Sequence, residues 1–374
     1  MGHQPGINAI ILCSTLLACR PQSVRRTVPV SPVATVEVKV EAVAPVGPWD
    51  RRQGRTDLRS FSAAPSVKWS IDLGGPITRP LTSFDGTVLA VADGALHRVG
   101  PEGALLWSAP ISAAGIPRKV GESIFVANEL GAMSEIDPAT GGLVASYGGS
   151  GRVSTAPLSV AGRTIWFNSD GAMNQAEGPG PSVLDGPISD AASAGDTAVL
   201  GNMYGEVAAV SLSGRVWLSN LPGPVIAHPV VDGQRVYVPF GAKQGQPGGV
   251  AALDVETGAI LWSMRLQFEA GAAPALGRFL VVPGKAGGLI ALDTDHGGVR
   301  WRTPDASAFT VQPIVFDGTV LAGDAQGGLQ LVDMDDGGSV WRIDLGSPIT
   351  GEGAALGETL VFGTADGRLV GVAK

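Results

Sequence analysis

The stretch Ala252–Trp262, ALDVETGAILW, decides how the whole chain is read. Ala252 and Asp254 alternate with Leu253, so the first two point to one face of a strand and Leu253 to the other. Asp254 ends that strand, where its carboxylate is suited to accept backbone N–H groups of a turn. Gly258 supplies the positive φ at the turn tip that Thr257 would adopt only under strain. Trp262 then falls on the next strand, where a large ring can dock against a neighbouring unit. The stretch is therefore a strand, a tight turn and a strand, and the question is whether it marks a catalyst or a structural fastener.

Near-copies answer the architectural half. The Gly-to-Trp offset recurs at Gly103/Trp107, Gly297/Trp301 and Gly337/Trp341, and slips to Gly214/Trp217. With Trp69, these tryptophans repeat at about 40 residues or a multiple of it, the spacing of a solenoid or propeller. A second landmark runs from FDGTVLAVADG through VDGQRVYVPFG to LGETLVFGTADG and occurs eight times. The fifth unit divides into HPVVDG, RVYVPF, GGVAALD and AILWSMRL, four short strands with no helical run between them. This predicts an all-β chain, an eight-bladed β-propeller of four-stranded antiparallel blades. The eighth unit stops at RLVGVAK without an outer strand, while SVKWSIDL (Ser66–Leu73) is an outer strand without a blade. Pairing the two closes the ring three-plus-one and removes two exposed edges. In the second unit Ala145 stands where Trp is expected, with Tyr147 nearby, and AEGPGPSVLD in the third has lost the pattern. Relaxed packing, or a face tolerant of insertions, is expected there.

Composition and the N-terminus bound the setting. A chain of 374 residues with only 16% charged residues has ample apolar content to order most of its length. The apolar run INAIILCSTLLA (7–18) is too short to span a bilayer and reads as a secretory signal, residues 1–18. Leu16-Leu17-Ala18-Cys19 is similar to the lipobox of bacterial lipoproteins, which makes Cys19 the lipidated first residue of the mature chain. A plain signal peptide cut nearby without lipid is the alternative. Cys13 is the other cysteine, so the expected mature chain has no disulfide and no thiolate metal site. Residues 19–60 read as the lipidated Cys and an extended tether rich in Pro and Val, and residues 61–374 as the propeller. The tether is basic, with eight Lys/Arg against four Asp/Glu in 20–60, in a chain of net charge −8. A basic tether suits an anionic lipid surface, and an acidic body argues against nucleic acid.

The repeated hairpin resembles the tryptophan-docking repeat AxDxxTGxxxW of quinoprotein-like propellers. The segment GPWDRRQGRTDLRSFSAAPSVKWSIDLGGPI also looks like the lead-in of such proteins, so the resemblance covers about residues 47–374. It implies one of two functions: a quinone-dependent dehydrogenase, or a BamB-type lipoprotein of the outer-membrane β-barrel assembly machinery. In both, the docking residues Trp69, Trp107, Trp217, Trp262, Trp301 and Trp341 are structural. The enzyme would hold pyrroloquinoline quinone in the axial cavity with Ca²⁺ and an Asp base. The alcohol dehydrogenases of that family add a vicinal Cys pair, and this mature chain has none.

Other constellations point away from catalysis. His97, His228 and His296 stand in different units; His296 lies in a turn, and His228, before Pro229, is placed to line the axial channel without an identifiable partner. DMDDGG (333–338) resembles the start of a Ca²⁺ loop, but residue 344 is Asp where the bidentate Glu belongs. The expectation is a non-catalytic, monomeric propeller without cofactor or metal. It binds an envelope protein such as the barrel-assembly subunit, and the membrane through its lipid, at the periplasmic side of the outer membrane. A repeat lipoprotein that binds another envelope protein or a surface glycan is the alternative, and a quinone-dependent dehydrogenase the third. Arg118, Lys119, Lys243, Gln244 and Lys285 are candidate contact residues because exposed polar loops carry propeller recognition.

Overall fold

In the computed structural model, residues 64–148, 151–304, 307–316 and 318–373 are described. They form eight four-stranded antiparallel sheets, the blades of a β-propeller. Seven blades are built from consecutive strands and occupy 82–109, 118–147, 158–182, 192–220, 230–265, 275–302 and 314–344. The eighth takes Ile349–Leu356, Thr359–Thr364 and Arg368–Ala373 from the chain's end, and its outermost strand, Ser66–Asp72, from before blade 1. That strand runs antiparallel to Arg368–Ala373, with Ser66 opposite Ala373 and Asp72 opposite Arg368.

Residue choice follows position in the blade. The second strand of blade 1, TVLAVA (Thr87–Ala92), is buried throughout because neighbouring blades cover both of its faces. Outer strands are half-covered, and ILWSMR (Ile260–Arg265) alternates between exposed and partly buried positions. The core is correspondingly divided among the seams. One cluster joins Val199, Val207, Ala209 and Trp217 of blade 4 to Val236, Val238, Ala251 and Leu253 of blade 5.

The opening hairpin shows how a seam is fastened. Asp254 Oδ1 accepts the backbone N–H groups of Glu256 and Thr257 at 3.1 and 2.8 Å, and the Thr257 hydroxyl at 2.7 Å. The N–H of Gly258 donates to the Asp254 carbonyl at 2.9 Å, closing the turn. These bonds aim the Val255 carbonyl outward, where it accepts Nε1–H of Trp217 from blade 4 at 2.9 Å. Gly258 has φ +73°, and a β-carbon there would lie 2.5 Å from Cε3 of Trp217. Glycine is therefore required twice, by its own backbone and by the ring laid across it. One seam further on, Trp262 donates to the Thr294 carbonyl at 3.0 Å and covers Gly297. Trp107 does the same with Pro138 and Gly141, and Trp301 with Met334 and Gly337. Trp69 lies over Gly103, which fastens blade 8 to blade 1.

Blade 3 departs from the pattern, but its packing is not relaxed. Trp166, from its second strand, is fully buried and packs with Phe125, Ala127 and Met133 of blade 2. Tyr147 turns its hydroxyl to Glu135 of its own blade at 2.5 Å and stands 6.1 Å from the Trp166 ring. An aromatic ring thus fills the seam from the opposite side. The outer strand GPGPS (Gly178–Ser182) uses Pro179 and Pro181 at the sheet edge, where missing N–H groups cost no ladder bond.

A double-mutant cycle tests the fastening. Trp217→Ala is expected to cost about 3–5 kcal/mol, as for other buried tryptophans. Gly258→Ala is expected to cost upwards of about 1 kcal/mol from the backbone alone, plus displacement of the ring. The double variant should lose clearly less than the two singles together, because the clash disappears with the indole. Urea unfolding of the four proteins measures the cycle, and strict additivity would show that ring and glycine act independently.

Candidate functional site

Two regions present chemistry outside the fastened seams. The first is the face formed by the loops between the second and third strands of each blade. A short polar residue ends the second strand and folds the loop over itself. Asn128 Oδ1 accepts the N–H groups of Leu130 and Ala132 at 3.0 and 2.9 Å, and Asn202 Oδ1 those of Tyr204 and Glu206, both at 3.0 Å. Buried Asp324 receives Gln326 and Gly328 in the same way and pairs with Arg342 at 2.5 Å. These loops also bond to the preceding inter-blade connection, as Glu129 N does to Ser112 O at 2.9 Å and Met203 N to Pro187 O at 3.0 Å. The loops are rigid platforms, and their tips carry large apolar side chains into solvent: Leu130 is 88% exposed, Met203 53% and Tyr204 60%. Because the strands alternate in direction, the Leu130 loop of blade 2 and the Met203–Tyr204 loop of blade 4 lie on one face. The longer loop of blade 5, with exposed Lys243 and Gln244, opens on the same face.

The second region is the axis. The first strands of neighbouring blades touch one another, as expected of strands that line a propeller's centre. In blades 2, 4, 5, 7 and 8 these strands, or the residues entering them, bring Arg118, Asp190, His228, Gln312 and Glu352 inward. Glu352 of blade 8 is acted on by Arg118, Asp190 and His228 and accepts the backbone N–H of Gln312. Residues that far apart around the ring meet only across the axis. Protein surrounds the Glu352 carboxyl, and this desolvation raises its pKa; His228, Arg118 and the Gln312 N–H oppose the shift, and Asp190 adds to it. Asp190 Oδ1 accepts the N–H groups of Ala156 and Ala191 at 2.7 and 2.9 Å.

The residues singled out in the sequence separate cleanly. Trp107, Trp217, Trp262 and Trp301 bond to the next blade's turn, Trp69 covers Gly103, and Trp341 is buried on the outer strand of blade 7. His97 is buried between Ser108 Oγ at 2.8 Å and the Ala92 carbonyl at 3.2 Å. Its burial lowers its pKa, against the Ala92 bond and the Asp93 charge. His296 is exposed in the turn that receives Trp262. DMDDGG is a docking turn of the same kind, with Asp335 paired to Arg278 of blade 6 at 2.6 Å. Arg118 and Lys119 belong to an innermost strand, Arg118–Val120, and not to a loop; Lys119 Nζ stands 4.7 Å from the centre of the Phe84 ring. Lys285 lies in a blade 6 loop beside Glu269 at 3.7 Å. Cys19, the signal segment and the tether lie outside the described residues. Leu130, Met203, Tyr204 and Glu352 were not anticipated, although NELG and NMYG, with large apolar residues inside a polar turn, carried the signal for the first three.

Fold and loop face together define a propeller scaffold. A family model described as "Outer membrane protein assembly factor BamB" matches residues 57–179 and 246–374, more than half of the chain, and the chain belongs to that family. The crystal structure of a computationally designed protein, Ika8, superposes with a TM-score of 0.72 at 16% identity, covering 82% of this chain and 99% of that one. The crystal structure of BamB from Moraxella catarrhalis matches with a TM-score of 0.49 at 16% identity, covering 83% of this chain and 86% of that one. No curated protein matches the chain.

The raised pKa of Glu352 has a sign that can be checked. A carboxyl whose folded-state pKa exceeds its unfolded value contributes stability below the unfolded value and loses it as pH rises through the folded one. Glu352→Gln is therefore expected to raise stability at pH 7 and to change little at pH 4, measured by urea midpoints at the two pH values. Equal effects at both would place the carboxyl in an unperturbed setting.

Proposed function

We propose that this chain is a non-catalytic envelope lipoprotein, held by lipid on Cys19, whose propeller serves as a protein-binding scaffold in outer-membrane β-barrel assembly. Family membership supports the setting. The observation that carries binding is the exposure of Leu130, Met203 and Tyr204 on loops whose backbones are bonded in place. Large side chains on a preorganised surface bury area on association while losing little further entropy, the arrangement of interaction hot spots. The partner favoured by this reading is the barrel-assembly subunit, met on the loop face, with the basic tether keeping the body close to an anionic membrane.

Leu130→Asp together with Tyr204→Asp tests the surface. Leu130 is almost wholly exposed and the Tyr204 ring rests on Gly186 at the surface, so the double variant should lose no more than about 1 kcal/mol of stability. Its capture of the barrel-assembly subunit, read by in-cell cross-linking, should fall at least tenfold, on the order of 1.4 kcal/mol. Capture at the parent level would remove the loop face from the proposal, and no capture by the parent would sink the partner. The anchor is tested separately, since palmitate labelling should disappear in Cys19→Ala. A dye-linked oxidation after addition of pyrroloquinoline quinone and Ca²⁺ should stay at background, and turnover there would overturn the non-catalytic reading.

A further inference from the structure

Four exposed cations gather on the part of the loop face that blades 5 and 6 occupy. Lys243 and Lys285 stand in the loops between second and third strands, and Arg265 and Arg302 end the outer strands of the same two blades on the same face. The connection Arg265–Glu269 ties them together. Arg265 donates to the Pro247 carbonyl at 2.6 Å, beside the loop in which Lys243 and Gln246 exchange backbone N–H bonds at 3.1 and 3.0 Å. Arg302 reaches across the seam to Oε1 of Gln267 at 3.2 Å. The Lys285 N–H donates to the Glu269 carbonyl at 2.9 Å, and its Nζ stands 3.7 Å from the Glu269 carboxylate. The Phe268 ring braces this loop, since a β-carbon at Gly284 or Gly287 would lie 3.0 or 2.9 Å from it. The cations are therefore mounted on backbone that is already held in place.

Their partners set them apart from the other arginines of blades 5 to 8. Arg235, Arg278, Arg342 and Arg368 pair with aspartates at 2.7, 2.6, 2.5 and 2.8 Å, and Arg300 pairs with Asp293. Among the described residues, Arg265 and Arg302 bond only to neutral oxygens, and Glu269 is the one carboxylate at ion-pair distance from any of the four cations. Lys285 is 63% exposed, and a solvated pair of that kind contributes little. Four positive charges thus face one negative charge, in a chain whose net charge is −8. Like charges held together repel, and a counter-charge brought to them is drawn in from solution.

We infer that this surface of blades 5 and 6 docks an acidic, extended protein segment. Carboxylates along such a segment would meet the planar donor sets of Arg265 and Arg302 and the ammonium groups of Lys243 and Lys285. A flat anionic membrane fits less well. The corresponding loops of blades 1, 2 and 3 carry exposed Asp93, Glu129 and Asp170, which a membrane laid across the face would also meet. A segment one strand wide touches blades 5 and 6 alone. The surface is separate from Leu130 of blade 2, and the inference holds whether or not the barrel-assembly subunit is the partner.

The test uses the purified full chain, dye-labelled hexaglutamate followed by fluorescence anisotropy, hexalysine as the control of sign, and phosphatidylglycerol vesicles followed by cosedimentation. Hexaglutamate should bind saturably and hexalysine should not compete with it. Its affinity should fall at least tenfold when salt is raised from about 20 to about 200 mM, as screening shortens the reach of the charges. Lys285→Glu combined with Arg302→Glu should weaken hexaglutamate at least tenfold. Lys68→Glu combined with Arg163→Glu makes the same change of net charge at exposed positions of blades 8 and 3, and should leave the affinity within twofold. If the first pair lowers the melting temperature, Lys285→Gln with Arg302→Gln serves instead and should weaken binding at least threefold. Absence of saturable hexaglutamate binding, an equal loss in the control pair, or sedimentation with the vesicles while hexaglutamate stays unbound would overturn the proposal.

Discussion

An indole laid over a glycine of the next blade is the contact on which the ring depends. Trp217 over Gly258 and Trp262 over Gly297 are two links of one chain of contacts, and each hairpin both receives a ring and sends one on. A blade has two apolar faces and no independent core, so its stability exists only between neighbours. The docking module makes that dependence directional. Asp254 shapes the turn, the turn presents the Val255 carbonyl, and the absence of a β-carbon at Gly258 lets the ring lie flat.

The same constraint leaves the two functional regions free to vary. Docking turns occupy one face and the outer strands, while loops between second and third strands open on the other face. The Leu130 tip carries no packing role that requires it to be large and apolar, the Tyr204 ring lies over Gly186 of the preceding connection, and both loop backbones are held by Asn128 and Asn202. At the axis, entry positions of the first strands meet from all sides. A charge placed in blade 8 is thereby coupled to charges in blades 2, 4 and 5 without any of them being close in sequence.

Blade 3 shows how much the ring tolerates. Blade 2 before it has Ala145 in place of a docking tryptophan, yet Trp166 of blade 3 enters the seam between the two from a second strand and Tyr147 packs beside it. Expecting relaxed packing around Ala145 failed because a missing residue on one strand says nothing about what the facing blade supplies. What the seam requires is filled volume, and the strand that supplies it is secondary.

The blade count, the strand order within each blade and the turn chemistry at Asp254–Gly258 were legible in the sequence, because hairpins are local and their residue demands are imposed within a dozen positions. So was the second, steric demand on Gly258 in part, since the offset to Trp recurs; but the recurrence does not say that the ring arriving at Gly258 belongs to Trp217 of the preceding blade. Placing Arg118 in a loop shows a second limit, as short innermost strands carry too few residues to display a period. The meeting of Arg118, Asp190, His228 and Glu352, and the sharing of one face by Leu130 and Tyr204, were decided only by closing the ring. Closure brings together residues separated by up to more than 200 positions, and no local pattern encodes which of them will face one another across the axis.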